Sequence, residues 1–184
     1  MCKRSDVLYS YVCDADSKRA ERAAKLIQEL TGQTPKVVTD MRRVFDDKAV
    51  QAVLMAAPDH WHAPGAILAA SAGKHVYVEK PVCHNIWEGR QLVNAAEKVA
   101  AKGLIVQHGM QRRSSPGWQQ AMDWVKEGHI GKVTLSRGIN YKSRKSIGKV
   151  AAPVQAKDDH IKGMFRDTGG KPQDVDVDFK LWSG

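Results

Sequence analysis

The chain has 184 residues, of which 42% are hydrophobic and 27% are charged. This length suits one domain, or one domain and part of a second, and the composition is that of a soluble globular protein. No apolar run approaches the ~18 residues that a membrane-spanning helix needs, and the N-terminus does not resemble a signal peptide. The three cysteines lack the spacing of a disulfide framework or zinc site, which favours a reducing compartment. We therefore expect a cytoplasmic protein with no membrane partner, unless an export signal stands upstream of the visible sequence.

The net charge is +9, and the basic residues concentrate from Arg112 onward. Such a charge suits proteins that bind the phosphates of nucleic acids. However, no zinc finger, RNA-binding aromatic pattern or basic heptad accompanies it. We therefore predict no nucleic-acid partner, and interpret the charge as a solvated surface that can face an anionic small molecule.

Strands and helices alternate along the first two thirds of the chain. Short apolar segments near residues 7, 37, 53, 76 and 105 predict strands. The segments between them have helical spacing or helix-end signals, such as Asn85 followed three residues later by Glu88. This alternation predicts an α/β fold with a doubly wound, Rossmann-like parallel sheet.

The last third of the chain has a different character. Ser115 and Pro116 begin a further predicted helix, and residues 132–141 are strand-like. Residues 143–174 have no sustained period, which predicts a long loop or an arm that needs a partner surface. Apolar residues close the chain with nothing after them to bury against, so we interpret the chain as cut.

Two consecutive predicted strands end on chemically capable residues. The strand at 53–56 is followed by Ala-Pro-Asp-His-Trp-His at 57–62, and the strand at 76–78 by Glu-Lys-Pro at 79–81. Ligands of open parallel sheets bind beyond the carboxyl ends of the strands, so both clusters are active-site candidates. Asp59, His60 and His62 also form a common metal-ligand set, but no further ligand has suitable spacing, and we predict no metal.

Asp14 follows the first predicted strand and has two interpretations. In dinucleotide-binding sheets, a carboxylate at the end of the second strand accepts hydrogen bonds from the adenosine ribose hydroxyls. Alternatively, Asp14 or Asp16 begins the next helix, where aspartate is favoured. The residue alone leaves both interpretations open.

Three segments carry the pattern of a known family. They are Ala-Pro-Asp-His-Trp-His at 57–62, Ala-Gly-Lys-His-Val-Tyr-Val-Glu-Lys-Pro at 72–81 and Gln-Arg-Arg-Ser-Ser-Pro at 111–116. Together they strongly resemble the Gfo/Idh/MocA oxidoreductases, which include glucose–fructose oxidoreductase and inositol dehydrogenase. The closing residues 175–184 are similar to the "DYDLWLGP" segment of a bacterial subgroup. The resemblance covers residues 7–147 and resumes near 174, and its Glu-Lys-Pro element is quite specific.

The resemblance implies an NAD(P)-dependent enzyme that transfers a hydride to or from a sugar, cyclitol or related polyol. It implies that residues 1–112 form an NAD(P)-binding Rossmann-like domain. Residues 113–184 would then begin a substrate and oligomerisation domain, through which full-length members of the family commonly form homo-oligomers.

The resemblance also assigns roles to individual residues. Asp14 would meet the adenosine ribose, which favours NAD over NADP, and Glu79 would contact the nicotinamide ribose. Lys80 would hydrogen-bond the reacting oxygen of the substrate as the catalytic residue, although it can also be read as a surface lysine before Pro81. Pro58, His60 and His62 would line a loop on the nicotinamide side of the cofactor. The remaining expected cofactor contacts are Ala57 and Pro81. Arg113 would bind an anionic group of the substrate, or form a salt bridge.

The sequence departs from the family in two places. No G-x-G-x-x-G loop precedes Val7, and most of the second domain is missing, including its catalytic histidine. We therefore expect a fragment that is weakly active or inactive alone. The alternatives are an NAD-requiring glycoside hydrolase of the same fold, and a non-catalytic sheet module that binds a partner through an unpaired strand edge.

Overall fold

A computed structural model describes residues 5–139, 141 and 178–183. The described residues form two compact units. The first contains residues 5–110 together with 178–183, and the second contains residues 111–139 and 141. The predicted division into domains 1–112 and 113–184 stays a prediction, and residues 178–183 group with the first unit.

Helices and strands alternate through the first unit, as predicted. In chain order they are β1 (Tyr11–Cys13), α1 (Ser17–Thr31), β2 (Lys36–Val38), α2 (Arg42–Asp46), β3 (Ala52–Met55), α3 (Asp59–Ser71), β4 (His75–Val78), α4 (Ile86–Ala100) and β5 (Val106–His108). In the second unit, a 3-10 helix (Gln111–Ser114) precedes α5 (Pro116–Lys126). A last short helix, α6 (Phe179–Ser183), belongs to the first unit.

All five strands pair in parallel, which confirms the predicted α/β fold, but they form two sheets. β1 pairs with β2, and β4 lies between β3 and β5. In the second sheet Val76 pairs with Val53 on one side and with Val106 on the other. No pairing joins β1 to β3 in the described residues, so the doubly wound sheet is incomplete.

The hydrophobic core lies against the three-stranded sheet. Val76 and Val78 on its central strand are 2% and 0% exposed. Four alanines of α3 (Ala63, Ala66, Ala69 and Ala70) are also buried, and their small side chains let the helix approach the sheet closely. At Gly65 a Cβ atom would lie 2.7 Å from Met55 Cε, so this position also favours a minimal side chain.

The predicted helix ends are largely confirmed. The Asn85 side chain accepts a hydrogen bond from the Glu88 amide at 2.9 Å, and the Glu88 carboxylate in turn accepts from the His84 amide at 2.9 Å. This reciprocal arrangement satisfies two donors at the start of α4. Gly32 ends α1 in the left-handed conformation, with φ of 74°.

The second unit differs from the prediction after α5. Its helix begins at Pro116 as expected, and the Gln119 side chain donates a hydrogen bond to the Arg113 carbonyl at 3.0 Å. The strand predicted at 132–141 was wrong for the described residues 132–139 and 141, which are exposed and unpaired with another strand. A strand needs a neighbour for its backbone groups, and the apolar alternation alone does not provide one. The loop predicted at 143–174 lies outside the described residues.

Candidate cofactor-binding site

The two polar clusters predicted from the sequence lie together at the carboxyl ends of the strands of the three-stranded sheet. We call this end of the sheet its carboxyl edge. β3 and β4 are parallel neighbours with Met55 opposite Val78, so residues 57–62 and 79–81 follow the same ends of adjacent strands. The Glu79 amide donates a hydrogen bond to the Met55 carbonyl at 2.9 Å, which continues the pairing beyond both strands. This edge is where open parallel sheets bind ligands.

The first cluster is helical, which differs from the loop that was expected. α3 begins at Asp59, so His60 and His62 belong to its first turn, and Pro58 precedes it with an extended backbone. Proline suits a helix start because it lacks a backbone N–H, and the first N–H groups of a helix have no partner within the helix. The Asp59 carboxylate in the first turn interacts favourably with the helix dipole. The amide end of α3 therefore points toward the candidate site.

His62 fastens α3 to the segment that carries Lys80. Its ring is 2% exposed, and its Nδ1 atom forms a short hydrogen bond with the Pro81 carbonyl. Because a carbonyl only accepts, Nδ1 carries the proton. Nε2 is buried, and no residue in the described part of the chain forms a hydrogen bond with it. The direct cofactor contact predicted for His62 stays a prediction, and the observed contact is with the backbone at Pro81.

Lys80 directly follows the half-buried Glu79, and its side chain is exposed at the sheet edge. The Lys80 amide lies 3.3 Å from the Glu79 carboxylate, which makes at most a weak hydrogen bond. An exposed ammonium at this edge can reach a ligand that lies over the carboxyl ends of β3 and β4. The structure thus places the predicted catalytic lysine beside the predicted cofactor contacts.

α6 contacts the same edge, and no sequence pattern predicted where it would dock. The Trp182 carbonyl accepts hydrogen bonds from His60 Nε2 at 2.7 Å and from Trp61 Nε1 at 2.9 Å. The Trp182 ring also meets the His60 ring edge-on, with 5.3 Å between centroids. The Asp178 amide donates to the Ala15 carbonyl at 2.8 Å. Trp182 therefore contacts a much earlier part of the chain.

At the end of β1, the structure separates the roles of two aspartates. Asp16 caps α1, since its carboxylate accepts a hydrogen bond from the Arg19 amide at 3.1 Å. Asp14 is not the cap, and one of its carboxylate oxygens accepts from the Asp16 amide at 2.9 Å. Its own amide continues the pairing of β1 with β2 by donating to the Val38 carbonyl. Asp14 therefore presents a half-buried carboxylate at the carboxyl edge, where a ribose is expected.

Comparison with known proteins agrees with this geometry. The family model described as "Oxidoreductase family, NAD-binding Rossmann fold" matches residues 2–108. The chain belongs to the Gfo/Idh/MocA family. The scyllo-inositol 2-dehydrogenase (NAD(+)) of Bacillus subtilis is 33% identical over 128 residues, which are 70% of this chain and 36% of that protein.

Further relatives show both the fold and the variety within the Gfo/Idh/MocA family. The myo-inositol 2-dehydrogenase structure from Lactobacillus plantarum has a TM-score of 0.61 at 26% identity, covering 71% of this chain and 37% of that one. The glycosyl hydrolase family 109 protein 1 of Shewanella sp. (strain ANA-3) is 26% identical over 136 residues, covering 72% of this chain and 29% of that protein. The chain spans about a quarter to just over a third of the length of the curated relatives it matches.

Two remaining predictions concern Arg113 and metal ions. Arg113 lies in the 3-10 helix of the second unit and is exposed, and its substrate role stays a prediction. Within the described ranges, no three His, Cys, Asp or Glu side chains surround a common point as metal ligands would. In the same residues, no helix is long and apolar enough to cross a bilayer.

Proposed function

We propose that the chain provides the cofactor-binding part of an NAD(P)-dependent oxidoreductase that transfers a hydride to or from a sugar, cyclitol or related polyol. The single observation that carries the proposal is the hydrogen bond between Glu79 and Met55, which brings residues 57–62 and 79–81 to one sheet edge. Relatives named as inositol dehydrogenases support the substrate class.

The residues at the edge fit part of a nicotinamide dinucleotide. The half-buried Asp14 carboxylate suits the hydroxyls of a ribose, and the amide end of α3 suits the other half of the cofactor. The pyrophosphate has no glycine-rich cradle among the described residues, and the sequence contains no G-x-G-x-x-G motif. We therefore propose weak binding and weak or absent turnover by this chain alone.

Lys80 is the proposed catalytic residue. When bound, the nicotinamide accepts or donates the hydride. The Lys80 ammonium donates a hydrogen bond to the substrate oxygen and stabilises the negative charge that grows there. His62 holds the Lys80 segment through the Pro81 carbonyl, and Glu79 orients the nicotinamide ribose. Arg113 would interact with a charged group of the substrate.

Asp14 favours NAD over NADP in this proposal. A carboxylate accepts hydrogen bonds from ribose hydroxyls, whereas it repels the 2′-phosphate of NADP. Replacing Asp14 by Ala should weaken NADH binding and narrow the difference between the two cofactors. Titration of the chain with NADH and NADPH, followed by the change in ligand fluorescence, measures both affinities.

The test of the function measures NADH binding by the 184-residue chain and NADH formation by a longer form of the protein, with NAD⁺ and a panel of sugars and cyclitols. Lys80→Met should lower the rate of NADH formation at least 100-fold, the loss expected when one hydrogen-bond donor to a developing oxyanion is removed. Lys102→Met makes the same change at an exposed lysine in the turn between α4 and β5, and should leave the rate unchanged. Absence of both NADH binding and turnover would overturn the proposal, and so would equal rates for the two variants.

A second candidate is an NAD-requiring glycoside hydrolase, because a relative named as a glycosyl hydrolase matches a similar part of the chain. Such an enzyme releases an aglycone from a glycoside without net formation of NADH. Chromogenic glycosides, assayed with and without NAD⁺, distinguish the two reactions. Homo-oligomerisation of the whole protein is also proposed, and sedimentation of a longer form tests it.

A further inference from the structure

The short helix α6 is bonded at both ends to residues that follow strands of the first unit. At its start, the Asp178 amide donates a hydrogen bond to the Ala15 carbonyl at 2.8 Å. At its end, the Trp182 carbonyl accepts from His60 Nε2 at 2.7 Å and from Trp61 Nε1 at 2.9 Å. Ala15 follows β1, and the two ring donors follow β3. α6 therefore connects the carboxyl ends of the two sheets.

Internal hydrogen bonds fix the length of this connection. The Asp178 carboxylate accepts from the Leu181 amide at 3.0 Å, which is the geometry of a helix cap. The Asp178 carbonyl accepts from the Trp182 amide at 2.9 Å and closes one α-helical turn, with a rise of about 6 Å. The groups at the two ends of α6 consequently lie at a set separation, and so do the segments that they bind.

The two segments that α6 joins are the two halves of the proposed cofactor site. Ala15 directly follows Asp14, which is proposed to meet the adenosine ribose. His60 lies in the first turn of α3, which is proposed to meet the nicotinamide side. A dinucleotide contacts both halves at once, so its affinity depends on whether they are held at the right separation before it binds.

The first turn of α3 is held from two directions. His62 bonds to the Pro81 carbonyl beside Lys80, while His60 and Trp61 bond to α6. Because the Trp182 carbonyl only accepts, His60 Nε2 carries a proton, and in the neutral ring Nδ1 is then an acceptor. α6 thereby selects the ring form of His60 that can accept a hydrogen bond from a ligand hydroxyl.

Docking of α6 depends on contacts that are individually weak. Trp182 is 43% exposed, and its ring meets the His60 ring edge-on, with 5.3 Å between centroids. Neutral hydrogen bonds near the surface replace bonds to water, so each adds little net stability. The entropy lost when α6 becomes ordered opposes docking. The docked fraction is therefore sensitive to the loss of a single contact, and to a ligand that favours the docked position.

We propose that α6 positions the cofactor site, with Trp182 and Asp178 as positioning residues. They hold the start of α3 at a set separation from Asp14, and hold His60 with Nδ1 as an acceptor. Docking of α6 and binding of the cofactor therefore stabilise each other, and this coupling is reciprocal. The inference rests on the proposed function and deepens it, because it names residues that act on the cofactor through α3.

Replacement of Trp182 measures the coupling from the side of the chain. Trp182→Ala removes the ring that meets His60, and the apparent affinity for a ligand falls with the fraction of chains in the binding-competent form. NADH affinity of the 184-residue chain, measured by ligand fluorescence, should fall at least tenfold. Trp87→Ala makes the same change at a 70% exposed position in α4 and should leave the affinity within about twofold of the parent.

The cap of α6 allows a rescue by a conservative variant. Asp178→Ala removes the acceptor of the Leu181 amide and should weaken NADH binding about fivefold, since a lost cap raises the cost of forming the helix. Asp178→Asn keeps an acceptor at this position and should restore the affinity to within about twofold. Circular dichroism checks that each variant folds. Equal affinities of the folded Ala and Asn variants would contradict the proposal.

Amide exchange measures the coupling from the side of the cofactor. With saturating NADH, the Trp182 amide should exchange at least fivefold more slowly, whereas the Gly32 amide at the end of α1 should change less than about twofold. A helix that docks only for stability would not respond to NADH. At alkaline pH, ring nitrogen shifts should show the Nε2–H form of His60 in the parent and a mixture of tautomers in Trp182→Ala.

The outcomes separate this inference from the function on which it rests. Tighter NADH binding by Trp182→Ala would show that α6 competes with the cofactor, and would overturn the inference. Unchanged binding by that variant would also overturn it, and so would exchange at Trp182 that NADH does not affect. These outcomes leave the oxidoreductase function standing, whereas absence of NADH binding by the parent chain would overturn both.

Discussion

The two halves of the first unit differ in how well their elements are covered. In the half with β3, β4 and β5, α3 and α4 cover one face and the central Val78 is fully buried. In the half with β1, α1 and β2, Ala20 is the buried residue of α1, while Leu26 and Leu30 are 53% and 59% exposed. The candidate site is built mainly on the better-packed half. The comparison teaches that a helical pattern predicts a helix, whereas burial of its apolar face depends on a neighbouring element.

The largest expected difference between the halves is in the cost of removing a strand side chain. Val78→Ala removes buried methyl groups from the central strand and should lower the free energy of unfolding by about 2–3 kcal/mol. Val12→Ala makes the same change on the half-buried β1 and should cost about 1 kcal/mol or less. Urea denaturation followed by circular dichroism measures both. Equal losses would show that the two halves are equally packed.

Predictions from the sequence succeeded where the signal is local. Asn85 with Glu88, and Gly32 after an apolar helix face, depend on neighbouring residues, and the structure confirms both helix ends. The parallel pairing of β3 with β4 also followed from local order, because a strand, a helix and a strand in about thirty residues must be parallel.

Predictions failed, or were not made, where the signal is long-range. The contact of Trp182 with His60 joins residues 122 positions apart, and no periodicity reports it. The start of α3 at Asp59 was missed because Pro58 and the histidines were read as a loop, although proline is common at helix starts. The link from His62 to Pro81 depends on how a helix turn meets a strand end, which residue types alone do not determine.

The next expected effect concerns this link, which couples the well-packed half to the candidate site. His62→Ala removes a buried ring and leaves the Pro81 carbonyl without its donor, and should cost about 1–3 kcal/mol in the free energy of unfolding. His62→Asn retains a donor close to the position of Nδ1 and should recover part of the loss. Amide exchange at Glu79 and Lys80 should quicken in the alanine variant and slow again in the asparagine variant. If both variants behave alike, the ring only fills space.

Helix caps give a matched comparison of smaller size. Asn85→Ala removes the cap of α4 in the better-packed half, and Asp16→Ala removes the cap of α1 in the other half. Each loss should be about 1 kcal/mol when the half unfolds with the rest of the chain. If the β1 half opens separately, Asp16→Ala should quicken exchange in α1 without lowering global stability. A full loss of global stability in both variants would show that the halves unfold together.

The smallest expected effect is chemical and lies on β1. Although Cys13 is an exposed residue, desolvation of its thiol, together with the nearby carboxylates of Asp14 and Asp40, raises its pKa from 9.0 to about 11. With Cys2 and Cys83 replaced by serine, alkylation of Cys13 should therefore accelerate with pH up to about 11, because only the thiolate reacts. Asp14→Asn removes a negative charge that opposes ionisation and should quicken alkylation at pH 8, whereas a rate that levels off near pH 9 would show that the folded chain leaves this thiol unshifted.

The same thiol gives the sign of one pH effect on stability. Since folding raises the pKa of Cys13, its contribution to stability is fully present below pH 9.0 and is lost as the pH rises toward 11. Cys13→Ser should reduce the decline in unfolding midpoint over this range relative to the parent chain. Lysines also titrate there, so the difference between the two chains is the quantity that reports on Cys13.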